Sequence, residues 1–575
     1  MCGILALLNH YNIENKFKMN AYLCGKQRGP EMSSFLNNNN NSVFYFHRLA
    51  INGLDDESLQ PISINNITII CNGEIYNFKE LYSTFNIDPI TNSDCEVIIH
   101  LYTMFGLENT LKILDGVFSF VLLDRRDIHN QKIYVGRDAF GVRPMYMIKS
   151  DNNEDIVLGF ASEVKVLESL LYDSYFKKKD YSVVHYPPGH YSSYIYDINN
   201  DKWMFNIKVK YYTTLDKFNT TINNNYIYDE TKKIDEYLFD IYYYLNKAVK
   251  KRVQGTTERK VACLLSGGLD SSLIASLVSK YSEDQIETYS IGFEGSEDLK
   301  NAKIVSEHIG SKHKEFIISE EEFLRCIPQV IKNVESYDTT TIRASVGNYL
   351  IGYYISKLSE AKVIFNGDGS DELTGGYIYF IKSPDSEEFN RECCRLLNDI
   401  HYFDVLRSDK SISSNGLEPR TPFLDKIFVE KYLKIPAHIR NPRSLFNRNF
   451  KLWKGKSYTS KLPEKLLLRY AFDKYDPDLL PHSVLWRTKE AFSDGVSGDK
   501  GSWYEIIQKY TDDMDLSSSK QNSINIPETN EQKYYRNIYD DLYPNSSNCI
   551  PYFWMPKYVN AKDSSARSLE MYNNY

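Results

Sequence analysis

The sequence predicts two domains of different fold class: a layered α+β domain, followed by an α/β domain built on a doubly wound parallel sheet. The chain has 575 residues, which is more than one hydrophobic core usually supports. Up to about residue 200, short β-rich runs alternate with turns, whereas strand patterns alternate with helical ones from Ile234 onward. A segment rich in Asn, Tyr and Lys separates the two patterns, so we expect domains at residues 1–205 and 233–575 and a linker at 206–232.

The β-rich runs of the first domain are short and apolar, as strands usually are. They predict strands over Ile4–Leu8, Val43–Phe46, Ile67–Cys71, Val117–Leu123, Ile133–Val135 and Ile156–Phe160. One helix is expected over Cys95–Phe105, where four apolar residues recur at helical spacing. Strands and helical segments in this arrangement indicate a layered α+β domain.

In the second domain, apolar strands alternate with helices, which indicates parallel strands joined by crossover helices. The strands are expected at Val261–Leu265, Glu287–Ile291, Glu315–Ile318 and Val363–Asn366, with one helix near Ser271 and another over Leu299–Ile309. Sites in such sheets lie outside the carboxyl ends of the strands. The loops after Leu265, Ile291 and Asn366 should therefore converge, although they lie far apart in the sequence.

Composition argues against several classes of protein. The formal net charge of −8 provides no general basic field, so nucleic acid is not an expected partner. No apolar run approaches the length of a membrane-spanning helix, and the N-terminus lacks the basic and apolar segments of a secretory signal. Nine cysteines are scattered without metal-ligand spacing or a disulfide framework. These features predict a cytosolic protein that needs no membrane.

The stretch Val261–Ser272 joins a predicted strand to a Gly-rich turn and then to a helix. Unpaired N–H groups at a helix N-terminus face outward, and glycines allow a phosphate to approach them closely. The hydroxyls of Ser266, Ser271 and Ser272 add donors, while Asp270 repels phosphate unless a cation such as Mg²⁺ lies between them. An ordinary helix-capping turn is the alternative interpretation. The spacing is not that of a kinase-type phosphate loop, so attack at the α-phosphorus of a nucleotide remains open.

The second residue of the chain is a candidate nucleophile. Removal of Met1 would place a thiol and a free α-amine on Cys2. An α-amino group titrates near ~7.7–8.0, so it can act as the general base for an adjacent nucleophile. Taken alone, Cys2 is better explained as a small residue that begins a strand. Other residues of the first domain change that balance.

Three further positions fit a site that binds an amino acid and cleaves its amide. Asn72 and Gly73 follow an apolar strand, and their side-chain amide and N–H group could hold a tetrahedral oxyanion. A tight hairpin turn is the alternative for this Asn-Gly pair. The guanidinium of Arg48 has paired N–H donors that suit a carboxylate, and Asp94 could hold an ammonium group. Pairing at the surface would explain these two residues equally well.

Together, the motifs of the first domain resemble those of N-terminal-nucleophile, class II glutamine amidotransferases. The motifs are Met1–Ile4, Arg28–Pro30, His47–Leu49, Asn72–Asn77, Ser93–Glu96 and Gly136–Asp138. The resemblance implies that Cys2 attacks the glutamine amide, that Asn72 and Gly73 hold the oxyanion, and that Arg48 and Asp94 bind glutamine's carboxylate and amine. It also implies that the glutamine site includes Leu49, Ala50, Ile51, Asn52 and Glu74. Gln27 and Asn92 depart from the usual His and Gly.

The motifs of the second domain resemble the synthetase half of glutamine-dependent asparagine synthetases. They are Ser266–Ser272, Thr339–Ser345, Gly367–Glu372, Arg420–Asp425 and Trp486–Gly495. The resemblance implies that ATP adenylates the β-carboxylate of aspartate and releases pyrophosphate. Ammonia from the first site would then attack the β-aspartyl-AMP.

The same resemblance assigns residues to the second site. Nucleotide contacts are implied for Leu265, Ser266, Gly267, Gly268, Asp270, Ser271, Ile291, Asn366 and Gly367. Asp270 and Asp371 would hold Mg²⁺, and Arg343 and Lys489 would balance the triphosphate charge. Asp368 stands where the family usually has Glu, and the shorter side chain reaches about one methylene less toward the proton that a general base must take.

The sequence therefore predicts a two-domain enzyme that uses glutamine, aspartate, ATP and Mg²⁺ to form asparagine, AMP and pyrophosphate. A homodimer is implied by family resemblance alone. One alternative is a related adenylating amide or lactam synthetase that acts on another carboxylate. The other is a catalytically silent amidotransferase-like binding module.

Overall fold

The computed structural model describes residues 1–150, 157–176, 181–220, 234–256, 258–443, 464–487, 502–516, 524–561 and 563–565. Within these ranges the chain forms both expected kinds of domain, first one with antiparallel sheets and then one with a parallel sheet. No helix among the described residues has both the length and the apolar character needed to cross a bilayer.

In the part of the first domain that the structure describes, the strands form two six-stranded antiparallel sheets. The strands are β1 Gly3–Leu8, β2 Met32–Asn37, β3 Ser42–Arg48, β4 Ile62–Ile64, β5 Ile67–Ile75, β6 Gly116–Asp124, β7 Lys132–Arg137, β8 Tyr146–Ser150, β9 Val157–Ala161, β10 Tyr181–His185, β11 His190–Asp197 and β12 Lys202–Lys210. One sheet has the order β10-β8-β9-β1-β3-β2, and the other has the order β12-β11-β7-β6-β5-β4.

Both faces of each sheet are covered in the centre of this domain. Ile4 and Leu8 of β1 cluster with Ile70 of β5, so the two sheets face each other. Leu5 points to the opposite face of β1 and clusters with Tyr22, while other helices cover the outer face of the second sheet. The layers therefore run helix, sheet, sheet, helix. Because its residues are buried on both faces, β1 has a continuous apolar sequence instead of an alternating one.

The helices of the first domain are Asn15–Cys24, Phe78–Phe85, Val97–Phe105, Leu107–Ile113 and Val164–Glu168. The predicted helix over Cys95–Phe105 begins at Val97, after a single 3₁₀ turn. All six predicted strands are present, whereas several polar strands were not predicted, such as the edge strand β2, whose residues are alternately exposed and half-buried. Strand β12 continues to Lys210, five residues beyond the expected boundary at 205.

Within residues 258–443, five parallel strands form the sheet of the second domain. They are β13 Val261–Leu264, β14 Glu287–Gly292, β15 Lys312–Ile317, β16 Val363–Phe365 and β17 Glu418–Arg420, in the order β15-β14-β13-β16-β17. The chain runs outward from β13 to β15 and returns to β16 on the other side of β13. The topological switch point therefore lies between β13 and β16, where open α/β sheets bind their ligands.

Helices surround this sheet and extend beyond it. They are Thr214–Thr220, Ile234–Gln254, Leu269–Tyr281, Glu297–Ile309, Glu320–Val334, Thr339–Leu358, Ser370–Thr374, Ser386–Asp399, Asp404–Ser413, Lys426–Leu433, Ala437–Arg440, Leu466–Tyr475, His482–Leu485, Trp503–Asp512 and Asn530–Leu542. The four predicted strands are confirmed. Strand β17 was not predicted, because it consists of Glu418, Pro419 and Arg420, and proline is tolerated only at a sheet edge such as this one.

The helix Asp404–Ser413 lies between the domains and is buried along nearly its whole length, although its sequence is polar. Its Asp409 accepts hydrogen bonds from Arg28 Nη1 at 2.7 Å and from Arg143 Nη1 at 3.4 Å, both from the first domain. Lys410, the next residue, pairs with the buried Glu335. Burial of these charges is tolerated because each has a partner of opposite sign.

Glu335 also joins the two domains through the backbone. It follows the helix Glu320–Val334 with a positive φ of 57°. Its carboxylate accepts hydrogen bonds from the N–H groups of Val164 at 2.7 Å and Lys165 at 2.8 Å. These groups open the helix Val164–Glu168, whose first N–H groups have no partner within the helix. A side chain of the second domain thus caps the N-terminus of a helix in the first domain.

Replacing Asp409 by Ala should destabilise the protein strongly, because it leaves Arg28 and Arg143 without their shared carboxylate. Breaking a buried ion pair costs roughly 3–5 kcal/mol. Urea denaturation monitored by tryptophan fluorescence should show an unfolding midpoint at a much lower urea concentration than in the unmodified protein.

Glu108→Ala is the matched control, because Glu108 pairs with Lys112 in an exposed contact, where pairs contribute about 0–1 kcal/mol. Similar midpoints for the two variants would contradict the importance of the Asp409 pairs.

Candidate active site

Cys2 immediately precedes β1 at the boundary of the two domains. Its N–H group donates a hydrogen bond to Asn72 Oδ1 at 3.1 Å, and its Sγ lies 3.7 Å from the carbonyl oxygen of Leu49. Burial raises the pKa of the Cys2 thiol to about 11, although the nearby N-terminal ammonium lowers it in part. That ammonium belongs to Met1 and donates to Glu418 Oε2 at 3.2 Å. A free amine on Cys2 therefore requires removal of Met1.

Asn72 and Gly73 lie inside β5, where each pairs with a residue of β6. The hairpin-turn interpretation of this Asn-Gly pair is therefore wrong. A glycine is needed here because a Cβ atom at Gly73 would lie only 2.5 Å from the carbonyl oxygen of Val117. Asn72 is held from both ends, since its Nδ2 donates to Ser162 Oγ at 3.4 Å. The side chain of Asn72 therefore lies beside Cys2, and Gly73 is the next residue along β5.

The loop after β3 carries the other predicted glutamine residues. The buried guanidinium of Arg48 donates to the carbonyl oxygens of Gly53 and, at 2.7 Å, Asp55, so it shapes the loop itself. Within the loop, Asn52 Nδ2 donates to Glu74 Oε2 at 2.7 Å and so joins the loop to β5. The remaining loop residues Leu49, Ala50 and Ile51 are all buried.

Asp94 is buried next to β5. Its Oδ2 accepts a hydrogen bond from the Ile75 N–H group at 2.6 Å. Burial raises the pKa of Asp94 to about 6; the Ile75 hydrogen bond and Arg420 oppose this change, and Glu418 reinforces it. Surface pairing therefore explains neither Asp94 nor Arg48. The predicted glutamine residues form one connected set around β5.

Two charged residues of β17 connect this set to the second domain, and neither was assigned a role from the sequence. Arg420 donates from Nε to Glu418 Oε1 at 2.8 Å, and its Nη2 lies 3.3 Å from Glu74 Oε2. Its backbone carbonyl accepts the N–H group of Asn366 at 3.1 Å. Burial tends to raise the pKa of Glu418, but the Met1 ammonium, Arg420 and Arg143 lower it to about 2. Arg420 thus contacts residues of both predicted sites.

The second site is a cavity of about 280 Å³ at the carboxyl ends of β13, β14 and β16. It is lined by eight of the predicted nucleotide residues: Leu265, Ser266, Gly268, Asp270, Ser271, Ile291, Asn366 and Gly367. The expected convergence of the three loops is therefore confirmed.

Two residues of the motif Ser266–Ser272 do not line the cavity. Gly267 has a φ of +71° and packs against the helix Glu297–Ile309, where a Cβ atom would lie 2.5 Å from the Ala302 nitrogen. Ser272 is fully buried in its helix.

The loops after β13 and β16 touch at the N-terminus of the helix Leu269–Tyr281. A Cβ atom at Gly367 would lie 2.8 Å from Asp270 Cβ and 2.9 Å from the Ser271 nitrogen. Ser370 Oγ donates to Asp270 Oδ1 at 2.8 Å, and the hydroxyls of Ser266 and Ser271 lie 2.9 Å apart. The helix N-terminus and these hydroxyls form an arrangement that suits a phosphate group.

The two predicted metal ligands, Asp270 and Asp371, both pair with the ammonium group of one lysine. Lys465 Nζ contacts Asp270 Oδ2 and lies 2.7 Å from Asp371 Oδ1, so the two carboxylates are close enough to share a single positive charge. In the same cavity, the buried oxygens Asp368 Oδ2 and Glu372 Oε2 have no hydrogen-bond partner among the described residues. Carboxylate oxygens are the ligands that Mg²⁺ prefers, so the residues fit this ion. Lys465 was not predicted, because no sequence spacing connects it to Asp270.

Arg343 lines the cavity, but its donors are engaged by residues from the C-terminal part of the chain. Its Nε donates to Glu531 Oε1 at 2.8 Å, and its two terminal nitrogens donate to the carboxylate of Asp563 at 2.7 and 2.8 Å. A phosphate that binds Arg343 must compete with these carboxylates. Lys489, the other predicted phosphate partner, lies outside the described residues.

Asp368 belongs to a charged group whose members are distant from one another in the sequence. Arg407 Nη2 donates to Asp368 Oδ1 at 3.0 Å and to Asp404 Oδ1 at 2.9 Å. Tyr377 OH donates to Asp404 Oδ2 at 2.8 Å and also contacts Glu372 Oε1. Burial raises the pKa of Asp368, while Arg407 lowers it. The group offers both a cationic fork and carboxylates to a ligand in the cavity.

Comparison with known proteins covers both domains. A family model described as a glutamine amidotransferase domain matches residues 1–192, and one described as asparagine synthase matches residues 240–387 and 381–548. Proteins named asparagine synthetase (glutamine-hydrolyzing) from Rattus norvegicus, Gallus gallus and Homo sapiens are 40%, 39% and 39% identical to this chain over 100% of its length and 99% of theirs. A solved structure of NMN synthetase from Francisella tularensis aligns with 40% of this chain and 98% of its own at 18% identity, with a TM-score of 0.19.

Replacing Gly367 by Ala should weaken ATP binding, because the added methyl group would force the Gly367 and Asp270 loops apart. Such overpacking costs roughly 1–3 kcal/mol, which corresponds to a loss of affinity between about fivefold and about 150-fold if the closed loop arrangement is the one that binds. Isothermal titration calorimetry with a non-hydrolysable ATP analogue measures this loss of affinity.

Gly352→Ala provides the control. It adds a methyl group in the helix Thr339–Leu358, where the nearest atom is the side-chain amide of Asn415 at 3.0 Å. Equal losses of affinity in the two variants would show that the close approach of the loops does not matter for the nucleotide.

Proposed function

The chain belongs to the glutamine-hydrolysing asparagine synthetases, and we propose that it performs this reaction with Cys2 as the glutaminase nucleophile and with the cavity at β13 and β16 as the synthetase site. The observation that carries the proposal is the contact of Arg420 with both sites, through Glu74 on one side and the Asn366 N–H group on the other. One chain thus holds an ammonia-producing site in fixed relation to a site that activates a carboxylate.

In the glutaminase half, the Cys2 thiol loses its proton to the α-amine that removal of Met1 would expose. The sulfur attacks the amide carbon of glutamine, ammonia leaves, and water cleaves the resulting thioester to glutamate. Asn72 and the Gly73 N–H group stabilise the oxyanion of each tetrahedral intermediate. Because burial raises the pKa of the Cys2 thiol, the adjacent base is needed to generate the nucleophile at neutral pH.

In the synthetase half, a carboxylate oxygen of aspartate attacks the α-phosphorus of ATP and displaces pyrophosphate. A carboxylate is a poor acyl donor until its oxygen becomes part of a good leaving group, which AMP provides. The N-terminus of the helix Leu269–Tyr281, together with Ser266 and Ser271, holds phosphate oxygens. Mg²⁺ held by Asp270 and Asp371 would neutralise the charge of the pyrophosphate.

Aspartate fits the charged group around Arg407. We propose that the Arg407 fork binds the α-carboxylate of aspartate and that Asp404 and Glu372 bind its ammonium group. The β-carboxylate then faces the nucleotide loops across the same cavity. Asp368 lies at the edge of this group, where it can accept a proton from the attacking ammonia.

The oxidation state of the cysteines bears on the cellular compartment of the protein. All nine cysteines, each within the described ranges, are free thiols, which supports the proposal of a reducing, cytosolic compartment. Ammonia passes between the domains in this proposal, along the buried interface that begins at Cys2. The homodimer implied by the resemblance stays a prediction.

Replacing Cys2 by Ala should abolish asparagine formation from glutamine and leave formation from ammonium salts intact, because only the first reaction needs the thiol. Asparagine, AMP and pyrophosphate are quantified with each nitrogen source. Cys24→Ala, which removes an exposed thiol, should leave both reactions unchanged. Glutamine-driven synthesis in the Cys2 variant would refute the assignment of the nucleophile, and product formation without aspartate would favour a different carboxylate substrate.

Glutamine binding should depend on pH through Asp94. Its raised pKa of about 6 means that the carboxylate is protonated below that pH and cannot pair with the ammonium group of glutamine. The KM for glutamine should therefore increase by about tenfold for each pH unit below 6 and reach a plateau above it. The KM for ammonia, expressed as the concentration of unprotonated NH3 at each pH, serves as the internal control.

In Asp94→Asn, glutamine binding should be weak at every pH, and its KM should no longer vary through this range. A variant that keeps both the affinity and the pH profile would rule out Asp94 as the ammonium ligand.

A further inference from the structure

Lys465 lies where the two proposed metal ligands meet. Its ammonium contacts Asp270 on one loop and Asp371 on another, and its side chain is only 2% exposed. The two aspartates are about one-fifth exposed, at 21% and 22%. All three residues line the cavity, and the lysine is the most deeply buried of them. This arrangement is more specific than an ordinary ion pair at the surface of a site.

The backbone around Lys465 is adapted to this contact. Lys465 has a positive φ of 57°, which is unfavourable for a residue with a side chain, at the start of the helix Leu466–Tyr475. A Cβ atom at Gly376 would lie 2.2 Å from both Lys465 Cε and Asp371 Oδ1. The absence of a side chain at Gly376 is therefore what allows the lysine to reach the carboxylates. Two independent local features serve the same contact.

The Lys465 ammonium and a Mg²⁺ ion held by Asp270 and Asp371 would compete for the same carboxylate oxygens. Mg²⁺ requires ligand oxygens at about 2.0–2.1 Å and releases its own water reluctantly. A buried ammonium within hydrogen-bond distance of Asp270 and Asp371 gives each carboxylate a charged hydrogen-bond donor without any metal. A divalent ion that arrives alone must displace it and leave an unpaired charge in the interior, which is costly. An ion that arrives with a triphosphate brings new anionic partners for the lysine.

We propose that Lys465 is a positioning residue that reserves the carboxylates of Asp270 and Asp371 for a divalent cation delivered together with ATP. Its ammonium holds the two aspartates together and excludes free metal. When nucleotide and metal bind, the ammonium turns from the carboxylates to the phosphate oxygens. This inference rests on the proposed metal site at Asp270 and Asp371.

The test is a titration of the full-length protein with Mn²⁺ in the absence of nucleotide, with free Mn²⁺ measured by electron paramagnetic resonance. Lys465→Met keeps the length of the side chain and removes its charge. This variant should bind Mn²⁺ at least about tenfold more tightly than the unmodified protein, because the competing cation is gone. Lys280→Met, which breaks a more exposed pair with Asp476, should leave Mn²⁺ binding unchanged.

Addition of α,β-methylene-ATP provides a second measurement. In the unmodified protein the nucleotide should increase Mn²⁺ affinity strongly, because it relocates the lysine. In Lys465→Met this increase should be smaller, since the coupling between the two ligands loses the contribution of the lysine. A role of Lys465 in folding alone would not change this coupling, and circular dichroism with thermal melting identifies variants that fail to fold. Lys465→Arg, which keeps the charge, should retain most of the coupling.

Asp270→Asn, alone and combined with Lys465→Met, separates the inference from the metal site on which it depends. If Asp270→Asn leaves Mn²⁺ binding intact, the metal site is assigned wrongly and the inference fails with it. If Asp270→Asn removes Mn²⁺ binding but Lys465→Met does not strengthen it, the metal site stands and the role of Lys465 is overturned. Loss of the tighter binding in the double variant supports both.

Discussion

A network of buried charges between the domains is the constraint on which the rest of the structure depends. Glu418 and Arg420 pair with each other, and the network continues through Glu74 and Arg143 into the first domain and through Asp409 to Arg28. Charges of this kind are tolerated in the interior only while every partner is in place. The domains therefore have one preferred relative position. Since Arg420 also holds the Asn366 backbone, that position sets the geometry of both sites together.

The parts of the fold and site that sequence predicted are those determined by short stretches of chain. Strands buried on both faces, such as β1 and β13, appear as continuous apolar runs. The loops that follow β13 and β16 converge because the carboxyl ends of neighbouring parallel strands lie at one edge of the sheet. The nucleotide cavity could therefore be assembled from loops about a hundred residues apart in the chain, without knowledge of the side-chain packing around it.

The parts that sequence did not predict depend on partners that are remote in the chain. The helix Asp404–Ser413 has the composition of an exposed helix, and its burial is explained by partners remote in the chain, such as Arg28 and Arg143 for Asp409. Arg343 was expected to face phosphate, yet the structure engages it with Glu531 and Asp563, far later in the sequence. A charged side chain can be buried only where it has a partner of opposite charge, and the local sequence pattern does not identify that partner.

The position of Met1 has a consequence for the order in which this protein is made. The residue is 2% exposed, and its ammonium pairs with Glu418 of a strand synthesised more than four hundred residues later. An aminopeptidase needs an extended, accessible end of the chain, which the docked domains do not offer. The removal of Met1 that the proposed mechanism requires must therefore precede docking, while the second domain is still being synthesised. In the proposed mechanism, the amine that serves Cys2 as its base thus becomes available during translation, in the interval before Glu418 emerges and the two halves close over the first residue.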